Sequence, residues 1–284
     1  MRPSTFLSPC LLLLLALSVT AQAEHVLRIG AEDDWYPYTA YRDGRIQGMS
    51  VDIVEAAFAA SETPVELVPS PYSRCMQMTR EGSLAACFNT APDARIDADY
   101  LIPDEPLFSD DILLWARRDA VPLEGTPQDL AGRRVAVTIG YEYGARLDNA
   151  NQVIRVPVRR DLSGFLMLQH GRVDFVAAYR GTAQALLREN PQLAGQFVAL
   201  ETLDSPTLYL SFSRSNPDAV ALLQRFEQGM RALRQDGRYQ KILDRWQHAP
   251  ANCRRLDYTL PAGRTRDSRP VPCTTTTGRS HHGL

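Results

Sequence analysis

The run Phe88-Asn89-Thr90-Ala91-Pro92-Asp93-Ala94-Arg95 carries the clearest chemistry in the chain. It follows a short apolar stretch, residues 84–88, that reads as a buried strand. It then offers a hydroxyl at Thr90, a Pro-led turn and, five residues past the hydroxyl, the guanidinium of Arg95. Thr90 is placed to N-cap a short helix starting at or just before Pro92. Amides at a helix start, with a guanidinium fork beside them, suit a carboxylate. The N–H groups point at the anion and the Arg binds it bidentately. The expectation is one jaw of a ligand clamp; taken alone, the stretch also fits a surface helix with an exposed Arg.

The elements that must position this jaw alternate. Residues 26–30 alternate apolar and polar and run into a loop, 31–41, that holds Trp35, Tyr36 and Tyr38 and is too aromatic for an ordinary solvated turn. A helix capped at Ser50, a strand at 65–68, a helix at 72–80 stopped by Gly82 and the strand at 84–88 follow. This is the grammar of a parallel sheet covered on both faces. A strand at 111–117 and a polar connector with Pro122, Gly125 and Pro127 lead into a second round. That round is a strand at 134–139 ending at Gly140, a helix at 141–150, a strand at 153–156, a helix at 162–169, a strand at 173–178 and a helix at 181–189. Two rounds of one pattern indicate two lobes; no repeat of residues links them, so no duplication is claimed. A strand at 207–213 and an N-cap at Asn216-Pro217 precede a helix with Leu223, Phe226, Met230 and Leu233 on one stripe. Tyr239, Ile242, Leu243 and Trp246 give a last helix its apolar face. Beyond Pro250, Pro, Arg and Thr dominate, and the final dozen residues read as disordered.

Composition narrows the classes. The 284 residues are 44% hydrophobic and 23% charged, an ordinary globular balance. A net charge of -2 gives no basic footprint, which excludes nucleic acid as an expected partner. Arg2, the apolar residues 11–19 and the small-x-small Ala21-Gln22-Ala23 form an export signal, with cleavage after Ala23. The apolar run is short of the roughly 20 residues that span a bilayer, so an exported, soluble mature chain is expected, with an uncleaved anchor the alternative. Loss of Arg2 takes the formal charge from -2 to -3, and loss of Cys10 leaves Cys75, Cys87, Cys253 and Cys273. An even number in an exported chain suggests disulfides. Three pairings are open. Closeness in sequence favours Cys75–Cys87 and Cys253–Cys273, with free buried thiols the alternative for Cys75 and Cys87. No spacing suits zinc, and there is no Gly-x-Ser-x-Gly, phosphate loop or dinucleotide fingerprint. No metal, cofactor or catalytic residue is expected.

Three segments, in order, carry a resemblance. The first runs from Ile29-Gly30 through Trp35, Tyr36, Pro37 and Tyr38 to Gly44, Gly48 and Asp52. The second is Gly171-Arg172-Val173-Asp174-Phe175-Val176. The third runs from Phe212-Ser213-Arg214 and Asn216-Pro217 to Leu233-Arg234-Gln235-Asp236-Gly237, Tyr239, Ile242 and Trp246. Over roughly residues 24–247 the chain resembles periplasmic solute-binding proteins of family 3, the amino-acid type that serves ABC transporters. The resemblance implies an α/β fold of two lobes, each a mainly parallel sheet flanked by helices, joined by two crossing strands, with ligand in the cleft between them. The segments would be a signal at 1–23, lobe one at 24–110 and 212–249, lobe two at 111–211, and a C-terminal extension at 250–284.

Position by position, the resemblance implies that Arg95 and Thr90 hold a ligand carboxylate. Trp35 would stack on the ligand and Glu32 would supply an acid. Gly140 would open a lobe-two helix whose first amides meet the carboxylate, with Glu142 beside them where Thr is common. Tyr179 stands where the family places an Asp that pairs with an α-amine; a neutral phenol cannot do so, which leaves open a ligand without that amine. Tyr72 and Tyr141 complete an aromatic cleft suited to a flat or cationic ligand, or simply pack. The implied partners are a small carboxylate-bearing solute and an ABC permease at the inner membrane, with a monomeric receptor in the periplasm. Two alternatives on the same scaffold are a cyclohexadienyl dehydratase-like enzyme and a solute sensor.

Overall fold

The computed structural model describes residues 26–120 and 130–248. The export signal with its cleavage site, the connector residues Pro122, Gly125 and Pro127, and the extension with Cys253 and Cys273 lie outside the described residues.

The first sheet is built on β1 (Leu27–Glu32), β5 (Val65–Ser70) and β6 (Ala86–Thr90), all parallel, in the order β5-β1-β6. β14 (Thr207–Ser213) returns antiparallel to β6 and also pairs with the short β7 (Tyr100–Leu101) and β8 (Phe108–Ser109). Every residue of β6 is buried, as a short apolar strand covered on both faces should be. The helices α1 (Met49–Ala60), α2 (Tyr72–Arg80), α7 (Ala219–Gln235) and α8 (Arg238–His248) flank this sheet. α7 lies so close on α1 that a Cβ at Gly229 would fall 1.9 Å from the Ala57 carbonyl oxygen. α8 is tied to α1 where the Trp246 indole N–H and the Arg245 guanidinium both donate to Asp52, at 2.7 and 3.1 Å. Cys75 of α2 and Cys87 of β6 form a disulfide, Cα–Cα 5.9 Å, the nearer-in-sequence pairing expected.

The aromatic loop is a small antiparallel sheet of its own, β2 (Asp34–Trp35), β3 (Thr39–Arg42) and β4 (Arg45–Gln47). The Asp43-Gly44 turn, with φ of 52° and 79°, reverses the chain between β3 and β4.

The second sheet has the order β11-β10-β12-β9-β13, from β9 (Ile112–Arg117), β10 (Arg134–Thr138), β11 (Ile154–Val158), β12 (Phe175–Tyr179) and β13 (Phe197–Asp204). β10, β11 and β12 run parallel; β9 and β13 are antiparallel additions. α5 (Asp161–Gln169) and α6 (Arg180–Glu189) follow β11 and β12. The chain passes between the sheets twice, at Asp110-Asp111 and at Ser205-Pro206, and the two passages are bonded side by side: Ser205 Oγ donates to Asp111 at 2.7 Å.

Several local expectations fail. Ser50 does not cap α1, which begins at Met49 with Gly48 before it, because the buried Ser50 already lies in the first turn. α7 begins at Ala219 with Asp218, not Asn216, at its N-cap position, because residues 214–218 first form a turn in which the Asn216 carbonyl accepts from Ala219 N. The helix after Gly140 is only α4 (Ala145–Asp148), because residues 141–144 stay outside any helix. Tyr143 Oη accepts a bond from Thr138 N at 2.7 Å, and Gly144 turns the chain at φ 82°. The helix at Arg95 is α3 (Ala94–Asp99), and Thr90 does not cap it: Asp93 Oδ1 accepts from Ile96 N at 3.0 Å, while the Thr90 hydroxyl faces Met76 Sδ. An Asp three residues before a free helical amide outcompetes a hydroxyl that β6 holds in place. No described helix is long and apolar enough to cross a membrane.

Candidate functional site

The polar and aromatic groups singled out above converge where the carboxyl ends of β1, β6 and β12 face each other across the two lobes. Glu32 ends β1, Thr90 ends β6, Tyr179 ends β12, Tyr72 opens α2, and Tyr141 and Glu142 follow β10. A strand end at a lobe boundary is where the next residues can turn into a cleft without leaving backbone groups unpaired. Gly140, at φ 89°, brings its backbone so near α2 that a Cβ would sit 2.9 Å from that of Ser73. Its role is therefore close approach of the lobes and not the start of a helix. Arg95 lies in the first turn of α3; its side chain lies outside what the structure describes.

Two phenol–carboxylate bonds bridge the lobes. Tyr141 Oη donates to Glu32 Oε1 at 2.5 Å, and Tyr72 Oη donates to Glu142 Oε2 at 3.1 Å. Trp35 is 2% exposed and sits amid rings from both lobes, edge-on to Tyr179 with centroids 4.9 Å apart and 5.9 Å from Tyr141. Tyr72 and Tyr141 meet edge-on at 5.6 Å. The space these side chains leave is about 10 Å³. A wider groove of about 890 Å³ opens beside it, between Pro92 and Asp97 of one lobe and Glu142, Gly144 and Asp148 of the other.

Burial sets the ionisation here. It pushes the Glu32 carboxyl well above the usual carboxylate range, against the Tyr141 bond that pulls it back and with Asp161 adding to the rise. It likewise raises the phenols of Tyr72, Tyr141 and Tyr179, each further raised by a neighbouring carboxylate. The rings are neutral donors, and Glu32 is held toward its neutral form.

A second set of contacts was not legible in the sequence. Tyr38 Oη donates to Asp110 Oδ2 at 2.6 Å, and the same oxygen accepts from Gly181 N at 3.0 Å, so one carboxylate at the chain crossing ties both lobes. Arg42 makes a bidentate pair with Glu189 at 2.8 and 2.9 Å, and Arg160 meets Asp34 at 2.8 Å. Asn89 also lines the cleft and was missed. Its signal was a polar residue at the end of an apolar strand, in a residue type that tolerates positive φ. Among the described residues no cluster of side chains could hold a metal ion.

Asp161, the first residue of α5, is buried and accepts from Thr138 Oγ1 at 2.7 Å. Burial raises its carboxyl from 3.8 to about 6; the Thr138 bond opposes the rise and Asp34 adds to it. The folded protein thus binds this proton more tightly than the unfolded chain. The stability it contributes is fully present below about pH 4 and is lost as pH rises through about 6. Asp161→Asn, which keeps an acceptor for Thr138 without the charge, is expected to stabilise the protein at pH 7.5 by on the order of 1–3 kcal/mol and to change little at pH 4. Denaturant unfolding at the two pH values checks this; an equal gap at both would show that the Asp161 charge is not the cause.

No family model matches the chain. Among curated proteins it is 25% identical over 242 residues to PatH of Vibrio harveyi, whose assignment as an amino-acid ABC transporter-binding protein is itself provisional; the match spans 82% of this chain and 93% of that one. It is 23% identical over 247 residues to the ABC transporter arginine-binding protein 1 of Escherichia coli (strain K12), spanning 82% and 96%. Among solved structures, an ancestral arginine-binding protein bound to arginine superposes with a TM-score of 0.69 at 19% identity, over 78% of this chain and 97% of that one. A histidine kinase sensor domain with similarity to periplasmic binding proteins does so at 0.69 and 21%, over 78% and 96%. These structural likenesses show the fold, two lobes of the periplasmic-binding-protein type.

Proposed function

From the premise that this chain is a relative of the amino-acid-type solute-binding proteins and has their two-lobe fold, we propose that it is an exported receptor that closes on a small carboxylate-bearing solute and presents it to an ABC permease. The observation that carries the reading is the convergence of Glu32, Trp35, Tyr72, Tyr141 and Tyr179 from two sheets on one interlobe cleft, bridged by phenol–carboxylate bonds. A cleft of about 10 Å³ has no room for a solute, so ligand enters with the lobes apart and takes over those bridges. Arg95 and Thr90 supply the carboxylate end, Arg95 by its charge. Glu142, Trp35 and the three tyrosines enclose the rest, and Gly140 lets the lobes meet.

The relatives named above are binding proteins and a sensor domain, which favours reception over catalysis. The sensor likeness supports one variant of the reading, in which the closed form signals to a membrane partner instead of feeding a permease.

A thermal-shift screen of amino acids, organic acids and amines tests the proposal. At least one small carboxylate at a hundredfold excess over its Kd should raise Tm by roughly 5–10 °C, the equivalent of about 2.7 kcal/mol for a chain of this size. No shift with any small carboxylate would refute a carboxylate receptor.

A further inference from the structure

Asn89 is held in an uncommon way. It has φ of +72° inside β6, at a point where the ladder to β14 slips: Leu210 pairs with Phe88 and Tyr209 with Thr90, and nothing pairs with Asn89. Such a bulge re-aims a side chain that regular alternation would have turned elsewhere. Here Asn89 lines the interlobe cavity together with Trp35, Glu32 and Tyr179. It is 6% exposed, yet neither its Oδ1 nor its Nδ2 has a hydrogen-bond partner. The indole Nε1 of Trp35, a residue that lines the same cavity, has none either. Leaving a buried polar group unpaired costs roughly 1–3 kcal/mol, so two such groups at one cavity mark a place where a ligand completes the bonding.

The count of donors and acceptors says what kind of ligand group fits. Trp35 offers an N–H, and the Asn89 amide offers an NH₂ and a carbonyl. A donor-only cation, ammonium or guanidinium, would satisfy the carbonyl and leave the N–H bonds unpaired. A carboxylate would satisfy the N–H bonds, leave the carbonyl unpaired and set a charge beside Glu32. A group with a carbonyl oxygen next to an N–H answers both.

We propose that Asn89 and the Trp35 indole N–H form a neutral recognition subsite for a carboxamide or ureido group, so that the receptor selects carboxylate solutes carrying such a group over their charged analogues. This rests on the reading of the cleft as the solute site. Asn89 is a specificity residue of that site, distinct from the carboxylate end assigned to Arg95. The protonation of Glu32 favoured by burial fits a neutral ligand group beside it.

Two matched pairs of probes test it by calorimetry on the full chain: L-citrulline against L-arginine, and L-glutamine against L-glutamate. In each pair the ureido or carboxamide member should bind about tenfold tighter or better. Asn89→Gly and Asn89→Asp both accept a positive φ, so the backbone is kept while the amide is lost. Asn89→Gly should bring each ratio to within about threefold, and Asn89→Asp should turn the first pair toward arginine. A wild-type preference for arginine or glutamate, or ratios unchanged in both variants, would overturn the subsite. If other small carboxylates bind and none of the four probes does, the subsite is wrong and the receptor reading stands. If no small carboxylate binds, both fall.

Discussion

On the proposed carboxylate clamp, Arg95→Gln is expected to weaken binding of a small carboxylate by about a hundredfold or more while moving the ligand-free Tm by no more than a degree or two. The closed cleft is nearly dry, and a carboxylate brought into it must be met by an opposite charge or pay for its lost hydration. A truncated partner in such a buried, hydrogen-bonded pair costs 2–5 kcal/mol, and about 1.4 kcal/mol is a factor of ten in Kd. Arg95→Lys keeps the charge and loses the planar fork, so its loss should fall between that of wild type and Arg95→Gln. Calorimetry with the best carboxylate from the screen decides the matter. Equal affinities for all three proteins would remove Arg95 from the site and take the clamp reading with it.

Gly181→Ala should act through the lobes instead of the ligand. A Cβ at Gly181, the second residue of α6, would fall 2.0 Å from Tyr38 Oη and 2.8 Å from its Cζ, on the opposite lobe. Tyr38 has little freedom to yield. Its ring stacks on Phe108 at 4.5 Å, lies 4.6 Å from Trp35, and its hydroxyl is bonded to Asp110. The clash is across the lobe boundary, so the least costly relief is to hold the lobes apart. An open-biased receptor binds more weakly by the fraction of closed form it has lost. The expected result is a loss of affinity of at least about tenfold, with the radius of gyration of the ligand-saturated protein by small-angle scattering staying at its ligand-free value. Each lobe should keep its secondary structure, because the added methyl meets nothing within its own lobe closer than the 3.5 Å to Asp110 at the crossing. Wild-type affinity and normal compaction in Gly181→Ala would show that this node does not gate closure.

Much of the frame was legible in the residues. The alternation of strand and helix signals, run twice, corresponds to the parallel blocks β5-β1-β6 and β11-β10-β12. The strand at 207–213 and the Cys75–Cys87 pairing match the structure as written. These succeed because they rest on local patterns: burial on both faces demands continuous apolar runs, and two cysteines twelve residues apart need only one helix and one strand to meet. The helix expected after Gly140 failed for a reason equally local in cause but not in composition. Tyr143 folds back to Thr138, a bond that no periodicity announces.

What the sequence by itself determined is the main alternation of strands and helices, the family resemblance and the chemical kinds on offer: a guanidinium, two acids and a surplus of aromatic rings with Tyr179 in place of an acid. What only the tertiary structure decided is which of these meet. Glu32 and Tyr141 are 109 residues apart in the chain, Tyr72 and Glu142 seventy, and Tyr38 and Asp110 seventy-two, yet each pair shares a hydrogen bond. The exposure of a side chain to a cleft is likewise a property of the packed lobes. Asn89 is turned inward by a bulge whose partner strand arrives more than a hundred residues later, so its type and its place at a strand end were visible in the chain but the direction of its side chain was not.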